Sequence, residues 1–208
     1  MILKKKTLKI KKINPFILPL LIIAAFSCGE IPVPKPKGYF RIDLPNKDYV
    51  LFEPQNSPGN LPFSFEYPAY AQLSLNPEKY SDPGWFNIDF PAFHAKIYLT
   101  YKKVENDLEN LMEQNYQMNV KNHIIKAEAI NEQVINNKPD KVYGIFYDLR
   151  GNTATSVQFY VTDSINHYLR GSLYFTAEPN ADSIAPVREF LREDIIHLIE
   201  TLEWKDVK

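Results

Sequence analysis

Between Tyr39 and Tyr101 apolar and polar positions alternate in short runs. Phe63, Phe65 and Tyr67 share one face and Ser64 and Glu66 the other; Phe86, Ile88 and Phe90 oppose Asn87 and Asp89; Ala95, Ile97, Leu99 and Tyr101 oppose Lys96, Tyr98 and Thr100. A period of two puts successive side chains on opposite sides of an extended chain, so each run predicts a strand with one dry and one wet face. Such alternation suits an antiparallel sheet, because parallel strands are usually apolar on both sides. Asn76-Pro77 and Asp82-Pro83-Gly84 separate the runs and have the chemistry of turns.

The period then changes. Val104, Leu108, Leu111 and Met112 recur at three and four, with Glu105, Asp107 and Glu109 at the start. Acidic residues there complement the helix dipole, and a helix is predicted from about Asn106 to Val120. One strand is expected within Ile124 to Ile135, and Asn136 to Asp140 reads as a turn. Val142 to Leu149, Ser156 to Thr162 and Tyr168 to Ala177 read as three further strands, with separators short enough for hairpins. A last helix begins at Asp182 or Ser183, with Pro186 tolerated in its first turn. Its stripe of Ile184, Val187, Leu191, Ile195, Leu198 and Leu202 should lie across the sheet.

Strands, helix, strands, helix with hairpin-length links predict an α+β domain: a twisted antiparallel sheet with two main helices packed on it. The element order resembles the Mog1 and PsbP type of sandwich. A fold likeness of this kind does not supply a function.

The N-terminus changes the picture. Six lysines and no acidic residue fall within the first dozen residues, and an apolar run from Ile13 to Phe26 follows. These are the basic and apolar regions of an export signal. A bilayer-crossing helix needs roughly 20 apolar residues, more than this run supplies between Asn14, Pro15 and Pro19. The run ends Ala25-Phe26-Ser27-Cys28, with a small residue directly before the only cysteine in the chain. It resembles the lipobox of bacterial lipoproteins, although Ala25 and Phe26 stand where that motif usually has Leu and a small residue. The resemblance implies a signal peptide over 1–27 and lipid on the Cys28 thiol, the side chain nucleophilic enough for thioether formation. Two or three acyl chains hold a protein stably at a membrane where one does so only marginally. Residues 28–38 carry Pro32, Pro34 and Pro36 and read as a stiff tether in polyproline II. The single domain then spans 39–208.

Cleavage also changes the charge. Six of the 24 Lys and Arg residues leave with the signal while all 25 acidic residues stay, so 18 cations face 25 anions and the net charge is −7. That argues against nucleic acid, whose binding rests on neutralised phosphates.

The search for catalytic chemistry finds little. His94, His123, His167 and His197 lie far apart, outside any H-E-x-x-H pair, and neither a G-x-S-x-G elbow nor a phosphate-binding glycine loop is present. No cofactor or metal is expected. The stretch Pro83 to His94 is the most function-like: Asp89 and His94 form a candidate acid-base couple for a hydrolase, and Trp85 offers an aromatic face for a cell-wall glycan. A second candidate surface is the tyrosine set on the late strands, notably Tyr143, Tyr147, Tyr160 and Tyr174, since tyrosine combines a large apolar area with a polar tip. The competing reading is that these rings border the core beneath the helices.

Several longer strings carry a family likeness: Pro34 to Ile42, Trp85 to Ile88, Lys96 to Tyr101, Val161 to Ser164, Leu169 to Phe175 and Pro179 to Val187. Together they resemble the gliding-motility lipoprotein GldD family over essentially the whole chain after the signal. The resemblance implies a non-catalytic, lipid-anchored envelope protein of gliding bacteria that binds or stabilises partners of the gliding and type IX secretion machinery. The expected location is the outer membrane, facing the periplasm. No contact residue can be carried over from the family beyond Cys28.

Overall fold

A computed structural model describes residues 41–56, 61–75, 84–121, 123–176 and 181–205. The signal, Cys28, the tether and the turns at Asn76-Pro77 and Asp82-Pro83 lie outside them. The strands run β1 Tyr49–Phe52, β2 Phe63–Pro68, β3 Gln72–Leu75, β4 Trp85–Phe90, β5 Ala95–Lys103, β6 Ala129–Asn137, β7 Val142–Arg150, β8 Thr155–Thr162, β9 His167–Phe175 and β10 Glu203–Trp204. Helices α1, Leu108–Tyr116, and α2, Ala181–Glu200, interrupt the series. The fold is α+β.

Seven strands form one sheet in the order β3-β4-β5-β9-β8-β7-β6, and β1-β2-β10 form a second; every pairing is antiparallel. One face of the large sheet is apolar, as the alternation requires. Phe86, Ile88, Ile97, Leu99, Phe159 and Leu173 pack there against Leu191, Ile195 and Leu198 of α2 and Phe63 and Phe65 of β2. Full burial of each such side chain is worth about 1.5–3 kcal/mol. The expected helical stripe therefore faces the sheet, with Leu191 and Ile195 fully buried; Leu202, expected in the stripe, is buried too but lies two residues past the end of the helix at Glu200.

The opposite face departs from the simple wet expectation. Helix α1 covers its β7–β9 half, where Leu111 joins Tyr147, Leu149, Tyr160 and Tyr168 in a second, smaller core.

Polar side chains on α2 bind the layers together. Asp194, 1% exposed, receives the hydroxyls of Tyr49 (2.9 Å) and Tyr70 and the Lys47 ammonium (3.0 Å). Burial, then the Asp194 carboxylate, raises the pKa values of both phenols well above the ordinary tyrosine value. On the same helix Arg188 and Arg192 pair with the buried Asp148 of β7. His197 approaches Glu66 of β2 at 2.7 Å while stacking on Tyr49.

Several expected boundaries shift, each for a local reason. Helix α1 starts at Leu108 because Asn106 takes a left-handed φ of 60°, and its last turn widens into a π-helix over Gln117–Lys121. The strand expected over Ile124 to Ile135 runs from Ala129 to Asn137 instead, since residues 123–126 turn and leave Ile124 and Ile125 exposed. Asn136 and Asn137, expected in a turn, close the strand. Asn137 pairs with Val142, and its side-chain amide donates to Asp140 across the hairpin. Pro186 falls in the second turn of α2, not the first, because the helix begins at Ala181. The strand expected to reach Ala177 ends at Phe175. The Asp163 to Asn166 separator is a tight β8–β9 turn in which Asp163 Oδ1 accepts the backbone N–H groups of Ile165, Asn166 and His167 at 2.8–2.9 Å. Burial opposes ionisation of this carboxyl, but the three donors hold its pKa below the ordinary value.

Candidate binding groove

Where α1 stops covering the second face, β4, β5 and β9 line a groove of about 400 Å³. Register sets its floor. Trp85, Thr100 and Arg170 lie in one cross-strand row, and Asn87, Tyr98 and Ser172 in the next. Odd residues of β4 and even residues of β5 and β9 point to this side because their neighbours fill the core. Leu111 and Gln114 of α1 and Met118 of the π-turn form the wall, and Tyr168 and Lys102 close one end.

Two aromatic rings on the groove side are partly exposed, Trp85 at 38% and Tyr98 at 44%. Tyr98 is braced edge-on by Tyr174, with ring centroids 5.5 Å apart, and Lys96 lies over it at 5.6 Å. Arg170 is half-buried. Its guanidinium donates to Gln158 Oε1 at 3.4 Å and Met118 Sδ at 3.3 Å, and burial lowers its pKa from the ordinary value. Among the described residues that line the groove the two charges are Lys102 and Arg170, both positive.

The other sequence candidates divide. Tyr147 and Tyr160 are 2% and 4% exposed, and Tyr160 stacks on Tyr168 beneath α1, so these two rings belong to the second core. Tyr143 and Tyr174 are half-buried. Asp89 accepts the Ser74 hydroxyl and forms a 3.0 Å ion pair with Lys96. His94 is exposed at the left-handed end of a short 3₁₀ turn, with φ 48°. Neither atom pair nor ring contact joins it to Asp89 in what the described residues show, and no group of three or more metal-ligating side chains occurs among them. Sequence reasoning singled out Trp85 but missed Tyr98, Thr100 and Arg170, whose only signal was their place on the wet side of alternating strands.

A family model for the gliding motility lipoprotein GldD matches residues 29–204. The chain belongs to the GldD family. The GldD match begins one residue after Cys28 and takes in every groove residue. Membership of this lipoprotein family places the protein among membrane-anchored components of the cell envelope; none of the described helices is long and apolar enough to cross a membrane. Among curated proteins none matches the chain. Among solved structures it is similar to the solution structure of cyanobacterial PsbP (CyanoP) from Synechocystis sp. PCC 6803, with 12% identity, a TM-score of 0.48, and coverage of 83% of this chain and 99% of that one. At that level the likeness is one of fold and carries no argument about function.

Proposed function

We propose that this GldD-family protein works by binding, without turnover: lipid on Cys28 holds the domain at a membrane surface, where it retains or stabilises partner proteins of the gliding and type IX secretion machinery. The observation that carries this reading is the family match across residues 29–204. The engagement of Asp89 with Lys96 and Ser74 supports the non-catalytic part, because a general base must be able to reach a substrate proton. Tethering makes weak contacts effective, since a partner in the same membrane meets the domain at high local concentration. The outer membrane, facing the periplasm, is the proposed site of action.

Deletion of the gene, complemented by wild-type protein or by Cys28→Ser, tests the reading. Loss of colony spreading and of type IX cargo secretion on deletion, with rescue by wild type and failure by Cys28→Ser, is expected. Labelled palmitate should appear on the wild-type protein alone. Normal spreading and secretion by the deleted strain would overturn the proposal, and Asp89→Asn or His94→Ala strains that lose function while keeping normal protein levels would restore the hydrolase reading.

A further inference from the structure

We propose that the groove on β4, β5 and β9 binds a short anionic glycan, two pyranose rings stacking on Trp85 and Tyr98 and an acidic substituent meeting Lys102 and Arg170. The site is distinct from the partner-holding role, so either can fail alone.

Three features converge on this ligand class. The first is the partly exposed aromatic pair. Trp85 and Tyr98 sit on adjacent strands, one diagonal register step apart, and keep more than a third of their surface exposed although rings of this size normally seek burial. Exposed aromatic surface carried on a sheet suits the apolar C–H face of a sugar. Tyr98 is held in place by Tyr174, so little rotamer freedom is lost on binding.

The second is polar spacing. The row from Trp85 through Thr100 to Arg170 crosses three strands, about 10 Å at normal strand separation, a span that accommodates two linked rings. Asn87, Thr100 and Gln114 supply neutral donors and acceptors beside it for hydroxyl and acetamido groups.

The third is charge. The chain has a net charge of −1, more acidic once the lysine-rich start is removed, yet the charged side chains among the described residues that line the groove, Lys102 and Arg170, are both cations. The half-buried Arg170 fixes a planar fork at the base, and the exposed Lys102 adds a second cation at the rim. A carboxylate or phosphate would gain charge-assisted hydrogen bonds there. A neutral glycan would leave that recognition unused.

The test titrates the full lipoprotein in detergent micelles, with bare micelles as control. Four probes are used: a carboxylated wall disaccharide-peptide, a phosphorylated glucosamine disaccharide, neutral diacetylchitobiose and inorganic phosphate. At least one anionic disaccharide should bind, with chitobiose and phosphate at least about tenfold weaker; which of the two acids wins identifies the wall or the lipopolysaccharide as source. Trp85→Ala should weaken the anionic disaccharide at least about tenfold, the usual scale for an aromatic anchor. Lys102→Glu should erase the preference over chitobiose at an unchanged unfolding midpoint, and because Lys102 is exposed this variant keeps the test decisive if Trp85→Ala fails to fold. Absence of binding by both anionic disaccharides, equal binding of chitobiose, or indifference to Lys102→Glu would overturn the proposal, whatever the motility of the strain.

Discussion

The ring of Phe159 lies across Gly171, its register partner on β9, so closely that a Cβ at Gly171 would fall 2.2 Å from Phe159 Cε1. Glycine is needed there for space, not for backbone freedom. Phe159 is fully buried in the large sheet, so its ring can give way only by displacing packed neighbours. Gly171→Ala should destabilise the fold by about 1–3 kcal/mol, the scale of overpacking, read as a lower denaturation midpoint at unchanged slope. Phe159→Leu added to Gly171→Ala should recover part of the loss.

Asp194 is the second place where one atom decides much. Tyr70→Phe removes a hydrogen bond to a buried carboxylate and should cost about 1.5–3 kcal/mol. Asp194→Ala strands Lys47 and two phenols and should cost more, about 3–5 kcal/mol. In the Asp194→Ala background Tyr70→Phe should cost almost nothing, which a double-mutant cycle measures.

Asp148 makes a complementary prediction. Its replacement by Ala leaves Arg188 and Arg192 with the exposed Glu189 as an acidic partner in place of a buried one, and should cost about 1–3 kcal/mol. Burial already lowers the pKa of Arg188 from its ordinary value. Replacing all three by apolar residues of similar volume should restore most of the stability, as buried ion pairs often contribute little net. Thermal unfolding of the single and triple variants separates the two outcomes.

Alkali should unfold the protein through its tyrosines. Burial, then the nearby Asp163, pushes Tyr101 up to about 12, and burial raises Tyr147 and Tyr168 further. A phenol whose folded pKa exceeds its unfolded value of about 10 favours the fold fully below pH 10. That stability is lost as pH rises from about 10 through the folded values. Denaturation midpoints should therefore be flat in this contribution from pH 7 to 9 and fall steeply above 10, with the phenolate absorbance of the buried Tyr147 and Tyr168 appearing together with unfolding.

How much of this was legible depended on how local each signal was. Strands β7, β8 and β9 were read as runs bounded by turn signals, and β8 is buried on both faces; β2, β4 and β5 were read from alternation, most clearly in β5, where Ala95, Ile97 and Leu99 are buried between less buried neighbours. The stripe of α2 was read for the same reason at its longer period. Strands β1, β3 and β10 escaped notice: with four, four and two residues they are too short to show a period, and they owe their pairing to β2 and β4. The groove escaped for a different reason. Trp85 and Arg170 are brought together by the non-consecutive β5–β9 pairing, which no local pattern specifies. Whether Tyr147 and Tyr160 met solvent turned on where α1 docked, which periodicity leaves open.

Helix α2 is the last helix of the described chain, yet it holds Leu191, Ile195 and Asp194 at the middle of the core and grips Lys47 and Tyr49 from the opposite end of the domain. Closure of the structure must therefore wait for the final segment to arrive. A growing chain that still lacks α2 would leave the apolar face of the large sheet uncovered, so the layers cannot pack until those residues are present.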